Sequence, residues 1–169
     1  GVIMYTVGNI FPQVCLKAVD GQNVIIDIEV LSDWTVMYFY PKDFTFICPT
    51  EIAAMDCLLE DADVIGVSGD NEYCKLAWKE QNPIIKDIKH ILAADCGLTL
   101  SKELGIVNED EGVCNRATFI IDPEGIIQHV SVNHLDTGRN AKEILRTLKA
   151  IKAGGLTGCE WEPGDDFVA

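Results

Sequence analysis

Cys48 is the residue of this sequence that is best placed to do chemistry. It follows an apolar, β-rich stretch that ends at Tyr40, and it directly precedes Pro49, a residue favoured in the first turn of helices. We therefore expect Cys48 at a junction between a strand and a helix, at the helix N-cap. Backbone N–H groups and the positive end of the helix dipole favour a thiolate at such a position. Because the thiolate is the reactive form of cysteine, the placement predicts nucleophilic chemistry at the Cys48 sulfur.

Two residues of the preceding loop, Pro41 and Thr45, are expected to support chemistry at this sulfur. The Thr45 hydroxyl can fold back toward Cys48, donate to a thiolate and accept from an incoming hydroxyl or peroxide. Pro41 closes the strand and stiffens the loop. The pattern Pro-x-x-x-Thr-x-x-Cys, within the string FTFICPTE, resembles the signature of the peroxiredoxins, in particular the alkyl hydroperoxide reductase C and typical two-cysteine (AhpC/TSA) branch. The resemblance covers nearly the full length of the chain.

The resemblance implies a thiol-dependent peroxidase in which Cys48 attacks a peroxide oxygen and becomes a sulfenic acid. Arg116 occupies the place of the family's active-site arginine, whose guanidinium holds the thiolate and orients the peroxide. Glu51 and Arg139 resemble a second layer in which the glutamate bridges the two arginines. Trp78 resembles a tryptophan that packs near the active site, although core packing explains it equally well.

Cys159 resembles the family's resolving cysteine, since it precedes Trp161 and Pro163. Only one residue separates Cys159 from Trp161, and this short spacing resembles that of bacterial enzymes with two tail cysteines. Cys159 matches the second of these cysteines, and Thr157 stands at the position of the first. The resemblance implies a Cys48–Cys159 disulfide between the subunits of a homodimer, and a ring of such dimers. An external dithiol protein would reduce it: thioredoxin, an AhpD-like protein or a flavoprotein disulfide reductase. The resemblance implies no haem, flavin or other cofactor and no metal.

Two motifs of peroxiredoxins that are sensitive to overoxidation are absent from this sequence. The Gly-Gly-Leu-Gly insertion is replaced by the loop 108–112, and the C-terminal Tyr-Phe is replaced by the ending Asp-Phe-Val-Ala. We therefore expect fast local unfolding around Cys48, rapid disulfide formation and resistance to sulfinic acid formation.

Three other functions stay open at this stage. A thiol–disulfide oxidoreductase would normally carry Cys-x-x-Cys, which is missing here because Thr45 stands three residues before Cys48. A one-cysteine peroxidase resolved by an external thiol would leave Cys159 idle. A holdase-type interaction protein would bind unfolded clients without peroxide turnover.

Composition restricts the class of protein. The net charge of −14 argues against binding to nucleic acid or to anionic membranes. We expect no leader and no membrane span, because no long apolar run and no basic segment followed by an apolar one occurs. Seven cysteines without a Cys-x-x-Cys pair indicate a reducing, cytoplasmic environment, and the three histidines lack the spacing of metal ligands.

The order of predicted elements is that of an α/β protein with a thioredoxin-like fold: a central mixed sheet flanked by helices, with an extra N-terminal hairpin. We expect a peroxidase domain over 1–153 and an extended, mobile C-terminal tail over 154–169 that carries Cys159. The pattern predicts strands over 36–40, 63–68, 90–95, 117–121 and 126–132, helices over 49–60, 71–81, 99–104 and 138–152, and a hairpin within 13–28.

Overall fold

A computed structural model describes residues 3–169 and contains a mixed seven-stranded sheet with helices on both faces. The first two residues of the predicted domain lie outside the described part. The helices are α1 (Cys48–Met55), α2 (Glu72–Gln81), α3 (Thr99–Leu104) and α4 (Ala141–Ala153). The strands are β1 (Leu16–Val19), β2 (Ile25–Ile28), β3 (Thr35–Phe39), β4 (Asp63–Ser68), β5 (Ile91–Ala94), β6 (Val107–Asn108), β7 (Val113–Cys114), β8 (Arg116–Ile121) and β9 (Ile127–Asn133).

The strand order of the large sheet is β2-β1-β5-β4-β3-β8-β9, and β6 pairs with β7 in a separate small hairpin. Strands β3, β4 and β5 run parallel, whereas β8 is antiparallel to β3 and forms a hairpin with β9 at one edge. The N-terminal hairpin β1–β2 closes the other edge through β5. The predicted thioredoxin-like α/β fold is confirmed, including this extra hairpin.

Strand β3 lies at the centre of the sheet, and all five of its residues are buried because both faces are covered. Successive side chains of a strand point to opposite faces. Met37 and Phe39 therefore join a core that includes residues of α3, whereas Tyr38 and Tyr40 join a second core with residues of α1, α2 and α4. Cys48 belongs to this second core, so the aromatic residues of β3 lie on the active-site face.

The helix boundaries differ from the predicted ones where local caps or tertiary contacts decide them. Helix α1 starts at Cys48 with Ile47 as its N-cap, so Cys48 is the first helical residue and not the cap. The helix ends at Met55, where a short 3₁₀ turn replaces the predicted final turn. Helix α4 begins later than predicted because Asn140 caps it, accepting a hydrogen bond from the Glu143 N–H at 3.1 Å.

The C-terminal tail after α4 is folded back on itself, so the prediction of an extended tail was wrong. Trp161 is buried, and its indole N–H donates to the Asp165 carbonyl at 3.1 Å. Arg146 of α4 donates to the Trp161 carbonyl at 2.8 Å, and the Val168 N–H donates to Leu156 at 2.9 Å. These contacts attach the tail to α4 and give it a compact, turn-rich shape.

Candidate active site

Cys48 lies at the N-terminal end of α1, and the residue is only 1% exposed. The Arg116 guanidinium contacts it directly, with Nη1 donating to Sγ at 3.4 Å. A guanidinium offers several N–H donors, so at this distance Arg116 can donate to the sulfur and to an oxygen that approaches it. The predicted proximity of Arg116 and Cys48 is therefore present in the structure.

Arg116 is the first residue of β8 and is held from two sides. Its Nε donates to the Leu135 carbonyl at 2.7 Å, and its Nη1 forms an ion pair with Glu51 Oε1. The ion pair is buried and the bond to Leu135 is partly buried, so two contacts besides the sulfur hold the guanidinium in place. The third contact of this group is the sulfur of Cys48.

Glu51 bridges the two arginines, as the resemblance implied. It lies in the first turn of α1, and its other oxygen accepts hydrogen bonds from the Arg139 backbone N–H at 3.0 Å and Nε at 2.8 Å. One carboxylate therefore partners two guanidinium groups, and the cluster keeps a net positive charge beside the Cys48 sulfur.

Arg139 lies in the loop before α4 and is buried despite its charge. Its Nη1 donates to the Ala117 carbonyl at 2.7 Å and to Thr118 Oγ1 at 3.1 Å, and its Nη2 donates to the Phe39 carbonyl. The guanidinium carbon also lies 5.0 Å from the centre of the Tyr38 ring. Arg139 thus joins β3, β8 and α1 beneath the active site.

The structure does not direct the Thr45 hydroxyl at the Cys48 sulfur. Thr45 Oγ1 donates instead to the Lys42 carbonyl at 2.9 Å, within the same loop. The expectation that this hydroxyl donates to the thiolate was therefore wrong for this conformation. Its lone pairs stay available to accept from an incoming hydroxyl.

Trp78 and Pro41 line two different clefts beside the active-site loop. Trp78 is buried against Tyr40 and Phe44, with ring centroids 6.1 and 5.8 Å apart, and lines a mainly apolar cleft of about 460 Å³ together with Thr45. Trp78 is thus both a core residue and a neighbour of the loop. Pro41 lines a separate cleft of about 350 Å³.

Cys159 is exposed on the folded tail, and all seven cysteines are free thiols. Two of the others have thiols whose pKa lies above the ordinary value. Burial raises the pKa of Cys114 to about 12, and its thiol donates to the Tyr40 carbonyl. Burial and the nearby carboxylates of Asp43 and Asp70 raise the pKa of Cys74 to about 11.

Sequence relatives agree with this geometry. A family model described as the AhpC/TSA family matches residues 7–130. The chain belongs to the AhpC/TSA family. It is 39% identical to alkyl hydroperoxide reductase C of Mycolicibacterium smegmatis, an alignment that covers 98% of this chain and 94% of that protein. It is 46% identical to the putative peroxiredoxin YkuU of Bacillus subtilis over 78% of this chain and 77% of that protein.

Solved structures of this AhpC/TSA family have the same fold. Reduced 2-Cys peroxiredoxin of Plasmodium vivax superposes with a TM-score of 0.88 at 35% identity, covering 95% of this chain and 91% of that chain. AhpC of Mycobacterium tuberculosis superposes with a TM-score of 0.81 at 37% identity, covering 89% of this chain and 99% of that chain. The recognition of the family from the motif around Cys48 is confirmed.

Sequence reasoning missed a buried ion pair that anchors the active-site loop. Lys75 Nζ lies 3.3 Å from Asp43 Oδ2, and both side chains are completely buried. The same Nζ donates to Ser68 Oγ at 2.6 Å and to the Asp70 carbonyl at 2.9 Å, while the Tyr40 hydroxyl donates to Asp43 at 2.7 Å. The available signal was weak: Lys75 shares the inward face of α2 with Trp78, a position where a lysine is unusual.

Two features are absent from the described residues. Residues 3–169 bring together no group of three or more His, Cys, Asp or Glu side chains that could hold a metal ion. No helix in this part of the chain is long and apolar enough to cross a membrane.

Proposed function

We propose that this protein is a thiol-dependent peroxidase that reduces hydrogen peroxide and alkyl hydroperoxides at Cys48. The observation that carries the proposal is the 3.4 Å contact between the buried, carboxylate-held Arg116 guanidinium and the Cys48 sulfur at the start of α1. Membership of the AhpC/TSA family supports the same reaction class.

The chemistry follows from the charges around the sulfur. The Cys48 thiolate attacks one peroxide oxygen, the O–O bond breaks, and the leaving hydroxide or alkoxide takes a proton from solvent to become water or an alcohol. Negative charge develops on the leaving oxygen, so the reaction needs a fixed donor beside it. Arg116 is the group that supplies this donor, while Glu51 and Arg139 hold it in place.

We propose Cys159 of a second subunit as the resolving thiol. Its sulfur attacks the Cys48 sulfenic acid, a disulfide forms, and water leaves with the oxygen that came from the peroxide. Its exposure supports this role, because a resolving thiol has to be reachable. An external dithiol protein of the thioredoxin, AhpD-like or flavoprotein type then restores both thiols.

Self-association fits two exposed features. Strand β9 lies at an open edge of the sheet, where a second copy can add its own strand. Phe46, in the active-site loop, is 96% exposed, and exposed Phe44 and Ile84 line the same cleft, so together they form an apolar surface of the kind found at interaction sites. We propose a homodimer and a ring of dimers in a reducing cytoplasm, and sedimentation analysis over a range of protein concentrations tests this assembly.

The decisive experiment treats the reduced protein with one equivalent of hydrogen peroxide and follows it by intact mass and non-reducing gels. We expect a covalent dimer that both Cys48→Ser and Cys159→Ser abolish. A sulfenic acid on Cys48 without a dimer would retain the peroxidase but transfer resolution to another thiol. No reaction at Cys48 would refute the proposed function and leave the holdase alternative, which an aggregation assay of Cys48→Ser tests.

A further inference from the structure

Three polar side chains, two of them buried and one partly exposed, form a chain that leads from the far end of α1 to the active site. Asp56 directly follows α1, and its carboxylate lies 2.5 Å from His90 Nδ1. His90 Nε2 lies 2.6 Å from the Tyr38 hydroxyl, and both of these residues are almost completely buried. The face of the Tyr38 ring in turn lies 5.0 Å from the Arg139 guanidinium carbon.

The protonation states fix the direction of these hydrogen bonds. Burial raises the pKa of Tyr38 well above its ordinary value and lowers the pKa of His90. Burial alone would raise the pKa of Asp56, but the hydrogen bonds from His90 and from the Lys89 backbone outweigh it and lower the pKa. Tyr38 therefore donates to Nε2 of a neutral His90, whose Nδ1–H donates to the Asp56 carboxylate.

Strand β4 is built to let the Tyr38 ring reach His90. Tyr38 of β3 is in register with Gly66 of β4, which in turn faces Leu92 of β5. A Cβ atom at position 66 would lie 2.5 Å from the Tyr38 ring and hydroxyl and 3.0 Å from Leu92. Any side chain at position 66 would collide with the ring, so glycine leaves the room in which the ring crosses β4 toward His90.

We propose that Tyr38, held by His90 and Asp56, is a positioning residue for Arg139, and through it for the charges at Cys48. The inference rests on the proposed peroxidase function. Hydrogen bonds from Arg139 to Ala117, Thr118 and Glu51 fix the guanidinium within its own plane. The aromatic ring supports its face, which those bonds leave free, and attracts the positive charge.

The test measures the second-order rate of Cys48 oxidation by hydrogen peroxide in variants at position 38. Tyr38→Met removes the ring but fills much of the volume, and we expect a rate about tenfold lower, the size of one buried cation–π contact. Tyr38→Phe keeps the ring and loses only the bond to His90, so we expect an intermediate loss of about threefold. Tyr73→Met, at an exposed position, is the matched control and leaves the rate unchanged.

A double-mutant cycle with Arg139→Gln separates positioning from general destabilisation. Residues that act through one another show non-additive effects, whereas independent structural losses add. We expect both position-38 substitutions to have no further effect on the rate in the Arg139→Gln background. Tyr38→Phe alone suffices for the cycle if Tyr38→Met does not fold.

Two outcomes would overturn the inference while leaving the peroxidase intact. Wild-type rates in both position-38 variants would show that the ring positions nothing. Rate losses of the same size with and without Arg139 would show that the effect does not pass through Arg139. A wild-type protein whose Cys48 does not react with peroxide would instead refute the proposed function itself.

Discussion

Replacing Glu51 with glutamine removes one negative charge from the active site and keeps the shape of the side chain. Glu51 accepts hydrogen bonds from Arg116 and Arg139 through both oxygens. A glutamine amide has one oxygen, so its NH₂ group must face a guanidinium donor. The substitution leaves two buried guanidinium groups without a neutralising carboxylate.

The cost of this change can be estimated from the burial of the three groups. Breaking a buried ion pair by removing one partner typically costs about 3–5 kcal/mol, and we expect Glu51→Gln to lower the free energy of unfolding by that amount. Loss of a single preorganised donor typically slows a reaction by about 10²–10³-fold. Because Arg116 keeps its hydrogen bond to the Leu135 carbonyl, we expect Cys48 oxidation to slow by only about tenfold.

Two measurements at one protein concentration test this prediction: urea unfolding followed by tryptophan fluorescence, and stopped-flow oxidation of Cys48 by hydrogen peroxide. Glu60→Gln is the matched control, because it makes the same change at an exposed position shortly after α1. A loss of less than about 1 kcal/mol relative to Glu60→Gln, together with wild-type oxidation, would refute the idea that Glu51 holds the arginines.

Three further predictions address other parts of the molecule. Lys75→Met leaves the buried Asp43 carboxylate without its cation, and we expect urea unfolding to show a loss of about 3–5 kcal/mol. Burial raises the pKa of Cys114 to about 12, so we expect iodoacetamide at about pH 8 to leave Cys114 of the native protein unlabelled and to label the exposed Cys159. Peptide mass spectrometry locates the label. Burial holds the pKa of His90 below its ordinary value of 6.5, so the unfolded chain binds a proton that the folded chain does not. The free energy of unfolding therefore falls as the pH drops through 6.5 toward the lower folded pKa, and His90→Gln is expected to reduce this slope in urea unfolding at several pH values.

Each of these predictions has a contrasting result. Lys86→Met, which removes an exposed lysine, is the control for Lys75→Met. If both variants lose the same free energy of unfolding, the buried ion pair has no role in stability. Labelling of native Cys114 at the rate of Cys159 would show that burial does not protect it. A pH dependence of stability that is unchanged in His90→Gln would exclude His90 as its source.

The residues that meet at the active site could be predicted only because a local motif identified the family. Arg116 is 68 residues from Cys48, and Arg139 is 88 residues from Glu51, so no spacing rule brings them together. The motif around Cys48 is contiguous, and the family resemblance supplied the distant partners. Their contacts in the structure agree with that resemblance.

The direction of the Thr45 hydroxyl could not be predicted, because the loop backbone decides it. Phe44, the preceding residue, has a positive φ of 59°, a backbone conformation that residues other than glycine rarely adopt. This local turn places the Thr45 hydroxyl on the Lys42 carbonyl. Sequence patterns around a phenylalanine give no indication of such a turn.

The other differences arise from tertiary contacts. Asp56 accepts hydrogen bonds from the backbone N–H groups of Lys89 and His90, and these contacts hold the chain where α1 ends. The tail has a glycine-rich, acidic composition that is typical of an extended segment, yet Trp161 finds a buried position against α4. Asp56, His90 and Tyr38 meet only through the tertiary packing of the end of α1 against the sheet, which periodicity alone does not give.

The burial of Cys48 has a consequence for the redox equilibrium of the proposed cycle. In that cycle, a bond to the exposed Cys159 would take the buried Cys48 sulfur out of its contact with Arg116 and would open the first turn of α1, which carries Glu51. The contacts of Glu51 with Arg116 and Arg139 would then be complete only in the dithiol form of the protein. Interactions that stabilise the reduced state raise the reduction potential of a disulfide. The buried arginine pair would therefore make the disulfide easier for a partner dithiol to reduce, so the group proposed to assist the peroxide step would also assist regeneration.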